Sequence, residues 1–379
     1  MNPERMRIAM LGQKRIPSRE GGIEVVVEEL SVRMAARGHE VTCLNRAGHH
    51  VSGAEFDADI REAGLYRGVR LKTVPTLDRR GFAAMTASVT GAFQTLLRPY
   101  DVVHFHAEGP CAMLWLPKLF GKRCVATIHG LDWQRSKWGG FASRYIRFGE
   151  KTAVRHADTI IVLSRGVQEY FRQTYGRETV FIPNGVTRPE RCPAEEITAR
   201  FGLEKDGYVL FLGRIVPEKG LHYLLEAWKG LQTEKTLVIA GGASDTAGYY
   251  DEMKKRGGER VLFTGFVQGR ALAELYSNAY LYCLPSDLEG MPLSLLEAMS
   301  YGNCCVVSSI PECTEVAGDR AVVFEKSDAA DLRKKLQRLL DDPKRVESFR
   351  EKAADCICAQ YDWEDVVEKT LAVYRGETL

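Results

Sequence analysis

The chain has no run of about 18 apolar residues, so no segment reads as a membrane-crossing helix. Its opening, MNPERMRIAMLG, holds Arg5 and Arg7 where a secretory signal needs apolar residues. A cytoplasmic protein is expected. Its ten cysteines lack paired CxxC spacing, which argues against a zinc ribbon or a disulfide framework; they read as small core hydrophobes in a reducing compartment. Zinc-finger spacing, an RNP-like run and a heavily basic tail are all missing, so nucleic acid is not an expected partner. Nor does GxGxxG follow the first strand. The text there is GQKRIPSREGG, which speaks against a conventional dinucleotide site.

What is present is 379 residues, 45% hydrophobic and 27% charged, enough for two or three domains with their own cores. The net charge of +2 conceals an asymmetry. Residues 1–185 carry 27 Lys and Arg against 18 Asp and Glu, whereas 186–379 carry 25 against 32. A basic first half predicts an anionic partner on the N-terminal side, such as a phosphate-bearing substrate or a lipid headgroup.

Short apolar runs alternate with amphipathic stretches, which predicts an α/β chain of two successive parallel-sheet units. The first opens with a strand at 7–11, the Gly21-Gly22 turn and a helix over 23–37 capped by Gly38. Strands follow at 41–45, 69–73, 102–105, 124–128, 159–163 and 179–182. Pro183-Asn184-Gly185-Val186 has turn chemistry and marks a boundary. The second unit has strands at 208–213, 236–240, 261–264, 279–284, 304–308 and 321–324, with helices between them. Near-continuous apolar strands are those of a sheet covered on both faces. The expected domains are 1–185 and 186–361, with 362–379 returning to the first.

Parallel α/β domains bind ligands at the C-terminal ends of their strands, and two in tandem predict a cleft. The most specific run is SDLEGMPLSLLEAMSYG, Ser286 to Gly302, with Glu289 and Glu297 eight residues apart. Together with GRIVPEKG (213–220), the GG at 21–22, TIHG (127–130), IPNGV (182–186) and LFTGFV (262–267), it resembles the retaining GT-B-fold glycosyltransferases of family 4, bacterial surface-polysaccharide type. The resemblance spans nearly the whole chain. It implies two Rossmann-like domains facing across a cleft, an acceptor-side first domain and a second that binds a nucleotide diphosphate sugar, UDP-sugars favoured.

Gly290 permits close backbone approach, and Met291, Pro292 and Leu293 are expected to present N–H groups at a helix start, a natural seat for a diphosphate. The resemblance assigns Glu289 to hydroxyls of the donor sugar and Glu297 to those of the ribose. Arg214 and Lys219 follow a buried strand and suit the diphosphate, stabilising charge as the anomeric bond breaks. That role replaces the metal that a DxD motif holds in another transferase fold; Asp57-Ala58-Asp59 has the letters but lies in a surface-like stretch, so no metal site or cofactor is expected. Gly21 and Gly22 could let backbone approach phosphate or acceptor, or serve only as a turn. The resemblance makes His129 a contact to the donor sugar, and backbone near Phe266 and Val267 reads the base. His104 and His106 alternate along a strand, which predicts that one faces the core; His106 and Glu108 are weaker site candidates.

The family is viewed as retaining configuration by same-face substitution, the leaving phosphate helping to deprotonate the acceptor. A two-step route would need a carboxylate opposite the sugar, and the sequence nominates none. In a helix over 141–155, Phe141, Tyr145 and Phe148 share a face beside a stripe of Arg144, Arg147, Lys151 and Arg155. That arrangement suits docking on the inner face of the cell membrane with a lipid-linked acceptor; it equally suits an aromatic face turned to the core. A same-fold transferase with a soluble acceptor and a non-catalytic nucleotide-sugar sensor are the alternatives.

Overall fold

The computed structural model describes residues 5–48, 64–77, 82–135, 139–242 and 247–379. Asp57 and Asp59 lie outside them. The chain forms two compact units, Met1–Asn184 with Trp363–Leu379, and Gly185–Asp362. Where it passes between them its two segments pair, Val186 N–H donating to Tyr361 O at 2.7 Å.

In the first unit the described strands are β1 (Arg7–Leu11), β2 (Glu40–Arg46), β3 (Leu65–Tyr66), β4 (Val69–Val74), β5 (Val102–His106), β6 (Arg123–Ile128), β7 (Thr159–Val162) and β8 (Val180–Phe181). They form one sheet in the order β3-β4-β2-β1-β5-β6-β7-β8, parallel except for the β3–β4 pair. Its helices are α1 (Gly22–Ala36), α2 (Ala83–Leu96), α3 (Trp115–Leu119), α4 (Gly140–His156) and α5 (Arg165–Tyr175). β1 beyond Arg7 and the whole of β5 are buried because helices cover both faces. α2 presses small residues, Ala87, Ser88, Gly91 and Ala92, toward the sheet and so lies close to it.

The second unit holds α6 (Glu196–Phe201), β9 (Tyr208–Leu212), α7 (Leu221–Trp228), β10 (Thr236–Ala240), α8 (Ala247–Arg256), β11 (Val261–Gly265), α9 (Gly269–Asn278) and β12 (Leu281–Leu284). These are followed by α10 (Leu293–Ser300), β13 (Cys305–Ser308), α11 (Pro311–Ala317), β14 (Ala321–Phe324), α12 (Ala329–Asp341) and α13 (Pro343–Gln360). The sheet is wholly parallel in the order β11-β10-β9-β12-β13-β14, the doubly wound arrangement. The last helix, α14 (Trp363–Arg375), belongs to the first unit: Glu364 binds Arg33 of α1 and Arg37 at its C-terminal end, and Tyr374 reaches β5.

α6 and α11 have seven residues or fewer, too few turns for a sequence pattern to show an apolar stripe. α11 starts on Pro311 at the position where a missing N–H costs nothing. Seven of the ten cysteines are buried, and all stand as free thiols. In α4 Phe141 and Phe148 are exposed and Tyr145 is half-buried, so the aromatic residues do not turn to the core; the helix turns Ile146, Gly149, Glu150, Thr152 and Ala153 inward.

Candidate active site

β9 is the first strand of the second sheet and β12 the fourth, and they lie side by side. Their following loops leave in opposite directions, and a crevice at the strand ends results. Lys219 comes from the β9 side and Glu289 from the β12 side. Lys219 Nζ donates to Glu289 Oε1 at 2.6 Å, with only 13% and 8% of the two side chains exposed. Ser286 Oγ donates to the same oxygen at 2.6 Å. Gly220 permits the approach. Its φ is +64°, and a Cβ there would stand 1.9 Å from the Pro285 carbonyl oxygen, so a side chain is excluded both by conformation and by space. Asp287 N–H, donating to Glu218 O at 2.9 Å, joins the two loops again.

α10 begins at Leu293, three residues after Gly290. Pro292 cannot present an N–H, which corrects the expectation for that position; it acts instead as acceptor, its carbonyl taking Leu295 and Leu296 N–H at 3.1 and 3.2 Å. The outward amides of the helix start are those of Leu293 and Ser294. Met291 and Pro292 are buried. Glu297 stands in the second turn, where Tyr276 OH donates to its Oε2 at 2.9 Å. Tyr276 lies at 1% exposure, stacked on Tyr301, and burial followed by the Glu297 charge pushes its phenol well above the usual range, so it remains a donor. Nothing local in the sequence marks Tyr276, which sits on α9; Ser286, by contrast, opens the most specific motif.

α11 adds two groups to this neighbourhood. Burial, then the Glu289 charge, pushes the Cys313 thiol well up, and burial with Glu289 and Glu315 raises Glu312. Arg214 is half-buried on the loop after β9. Phe266 and Val267 follow β11, separated from β9 by β10, so they stand roughly 10 Å along the sheet edge from the Lys219 loop.

The remaining candidates belong to the first unit. Gly21 precedes α1 in extended backbone, and Glu24 in the first turn accepts Lys14 N–H at 2.8 Å while its other oxygen lies 2.7 Å from where a Gly21 Cβ would be. Gly22 is exposed. This helix start already carries a carboxylate, which disfavours a phosphate there.

At the β1–β5 reversal of the first sheet, Gly12 packs on the His106 backbone, a Cβ there standing 2.1 Å from His106 O. His104 and His106, two apart on one strand, share a face, with ring centroids 4.1 Å apart, and both are fully buried; the expected alternation does not hold, because side chains repeat every second residue. His104 is held by Tyr374 OH at 2.6 Å and Thr127 Oγ1 at 2.7 Å. His106 Nδ1 meets His129 Nε2 at 3.1 Å, while His106 Nε2 is buried without a partner. A buried lone pair is better tolerated than a buried orphan N–H, so the proton of His106 sits on Nδ1 and points at His129. His129 then carries its own proton on Nδ1. Burial lowers its pKa to about 4, so it is a neutral hydrogen-bond donor near pH 7. Glu108 is fully buried; its Oε2 accepts Asp132 N–H at 2.9 Å, and burial with Asp132 and Glu150 pushes its pKa well up. It holds the loop after β6.

Among the described residues, no group of three His, Cys, Asp or Glu could hold a metal ion.

Residues 20–188 match the model of Glycosyltransferase Family 4, and residues 194–355 that of Glycosyl transferases group 1. Glycogen synthase of Mycobacterium tuberculosis is 28% identical over 98% of this chain and 96% of its own. Sucrose-phosphate synthase of Thermosynechococcus elongatus superimposes with a TM-score of 0.83 at 22% identity, over 98% of this chain and 99% of that one. HepE of Anabaena, solved with UDP and glucose, gives 0.80 at 16% identity over 98% and 100%.

Proposed function

This chain is a glycosyltransferase of the GT-B fold, related to the family 4 and group 1 enzymes, and from that premise we propose a retaining, metal-independent transfer of a sugar from a UDP-sugar to an acceptor hydroxyl. The observation that carries the reading is the contact of Lys219 with Glu289 where the second sheet reverses its strand order. A cation there neutralises the leaving diphosphate, and a carboxylate held by Lys219 and Ser286 accepts hydroxyls of the donor sugar. UDP is favoured because HepE was solved with it.

In this reading Arg214 and Lys219 hold the diphosphate with the Leu293 and Ser294 amides, Gly290 and Met291 shape their approach, and Glu297 takes the ribose hydroxyls. Phe266 and Val267 read the base at the far end of the strand edge. His129 donates from Nδ1 to a sugar oxygen. The acceptor oxygen attacks the anomeric carbon as the bond to the β-phosphate oxygen breaks, and its proton passes to that leaving oxygen, on the same face of the sugar. Gly21 and Gly22 belong to the acceptor side. The acceptor is a lipid-linked hydroxyl in surface polysaccharide or glycolipid assembly at the inner face of the cytoplasmic membrane.

Calorimetric titration with UDP, GDP and ADP, EDTA present throughout, tests the donor site. Micromolar binding of UDP alone is expected, followed by NMR of the product showing the donor's anomeric configuration. No binding by any of the three would overturn the site, and an inverted product would overturn the mechanism.

A further inference from the structure

The first unit exposes large apolar side chains in one region. Among the described residues, Leu379 apart, every exposed large hydrophobic lies between Leu77 and Phe148, and none lies in the second unit. Most stand on α2, α3 and α4 or their ends: Phe93 and Leu97, Trp115 and Leu119, Phe141 and Phe148. Within α2 and α3 these pairs are four apart and so share a helix face. α3 packs against both α2 and α4, and all three helices or their flanks bury their other sides in the core on one sheet face. The outward sides are therefore neighbours. Leu97, Leu119 and Phe141 are each 73% exposed, far beyond the partial exposure of an ordinary surface aliphatic.

Charge identifies the occupant. α2 and α3 contain no acidic residue, and the single acid of α4, Glu150, is fully buried. On α4 the exposed residues Phe141, Arg144, Phe148, Lys151 and Arg155 recur at intervals of three and four, a single line mixing aromatics with cations. A second copy of this chain would bring like charges together on such a face. An anionic surface with an apolar interior satisfies both features: rings and leucines enter the headgroup boundary while the cations meet phosphates.

We propose that the α2–α3–α4 face docks this protein on a bilayer containing anionic lipid. α4 begins just after the loop that follows β6 and His129, so the docked face adjoins the strand edge bearing His129. The purpose of docking rests on the lipid-linked acceptor proposed above, but the docking itself needs no turnover.

Flotation of the full chain with vesicles of phosphatidylcholine alone, or mixed with phosphatidylglycerol, tests it. Binding about tenfold or more stronger to the anionic vesicles is expected, falling steeply with added salt. Two surface variants, F141S/F148S and R144E/K151E/R155E, are each expected to lose most of that binding while retaining UDP binding. Equal binding to both vesicles, no binding to either, or unchanged binding by the variants would overturn the docking. A dimer in solution dispersed by F141S/F148S, with no vesicle binding, would assign the face to a second copy instead. Any of these with UDP binding intact leaves the transferase reading standing.

Discussion

Lys219 and Glu289, 70 residues apart in the chain, close a contact of 2.6 Å with little solvent on either side chain. Removing one partner leaves the other charge poorly solvated, an effect of ~3 kcal/mol for a well-buried pair and less at the exposure seen here. Glu289→Ala and Lys219→Ala are each expected to lower stability, and the double variant to lose clearly less than the sum. Denaturant titration of the four proteins measures the coupling. Additive losses would show that the pair contributes no interaction. Transfer should fall about a hundredfold or more in Lys219→Ala.

Tyr276 gives a finer test of the Glu297 assignment. Tyr276→Phe deletes one hydroxyl and one hydrogen bond of 2.9 Å, leaving the stack on Tyr301 in place. The loss of about 1 kcal/mol predicts UDP binding weakened roughly fivefold, with kcat nearly unchanged. Glu297→Ala should weaken it more. A kcat defect in Tyr276→Phe without a change in UDP affinity would remove Glu297 from the ribose.

These two sites show how far the sequence could be read. The apolar runs located the main strands of both sheets within a residue or two, because a strand covered on both faces is near-continuously apolar. Lys219 and Glu289 were legible as motif residues. Their contact was not, since it depends on β12 pairing with β9, a long-range choice that no local pattern records. Tyr276 was invisible for the same reason. Pro292 was misassigned although the sequence held the answer: proline has no N–H. The outward turn of Phe141 and Phe148 was undecidable, because aromatic residues at helical spacing describe a buried face and a docking face alike.

Gly220 separates conformational need from mere tolerance. Gly220→Ala places a Cβ against the Pro285 carbonyl in left-handed backbone, and a loss of about 2 kcal/mol or more is expected, with UDP binding impaired. Gly166, in α5 with open space around it, is the control: Gly166→Ala should raise stability by about 0.5–1 kcal/mol. Thermal unfolding of the two variants checks both signs, and a neutral Gly220→Ala would contradict the packing of the two loops.

The buried histidines make the first unit acid-sensitive. His104 is held to a pKa of about 3 and His129 to about 4, chiefly by burial, and His106 is lowered as well. An unfolded histidine binds its proton near pH 6.5, so below that the unfolded chain takes up protons that the folded one refuses. Their contribution to stability is complete above about pH 6.5 and is lost as pH falls toward about 4. The unfolding midpoint should drop through that window. His129→Asn, which cannot titrate, should flatten the drop; an unchanged slope would mean that His129 is no longer held neutral.

The same network decides what His129 does in the reaction. With His106 donating to its Nε2, His129 offers Nδ1–H and has no free lone pair for a proton. A donor can be replaced by another donor, whereas a base cannot. His129→Asn is therefore expected to keep transfer within about tenfold of the parent, and His129→Phe to lose about a hundredfold. The rate should show no inflection owed to His129 between about pH 5 and 8, because the ring is neutral throughout that range. Equal losses in the two variants, with an acid limb in the pH profile that vanishes in both, would make the imidazole a general base and reverse the proton assignment along the His106–His129 pair.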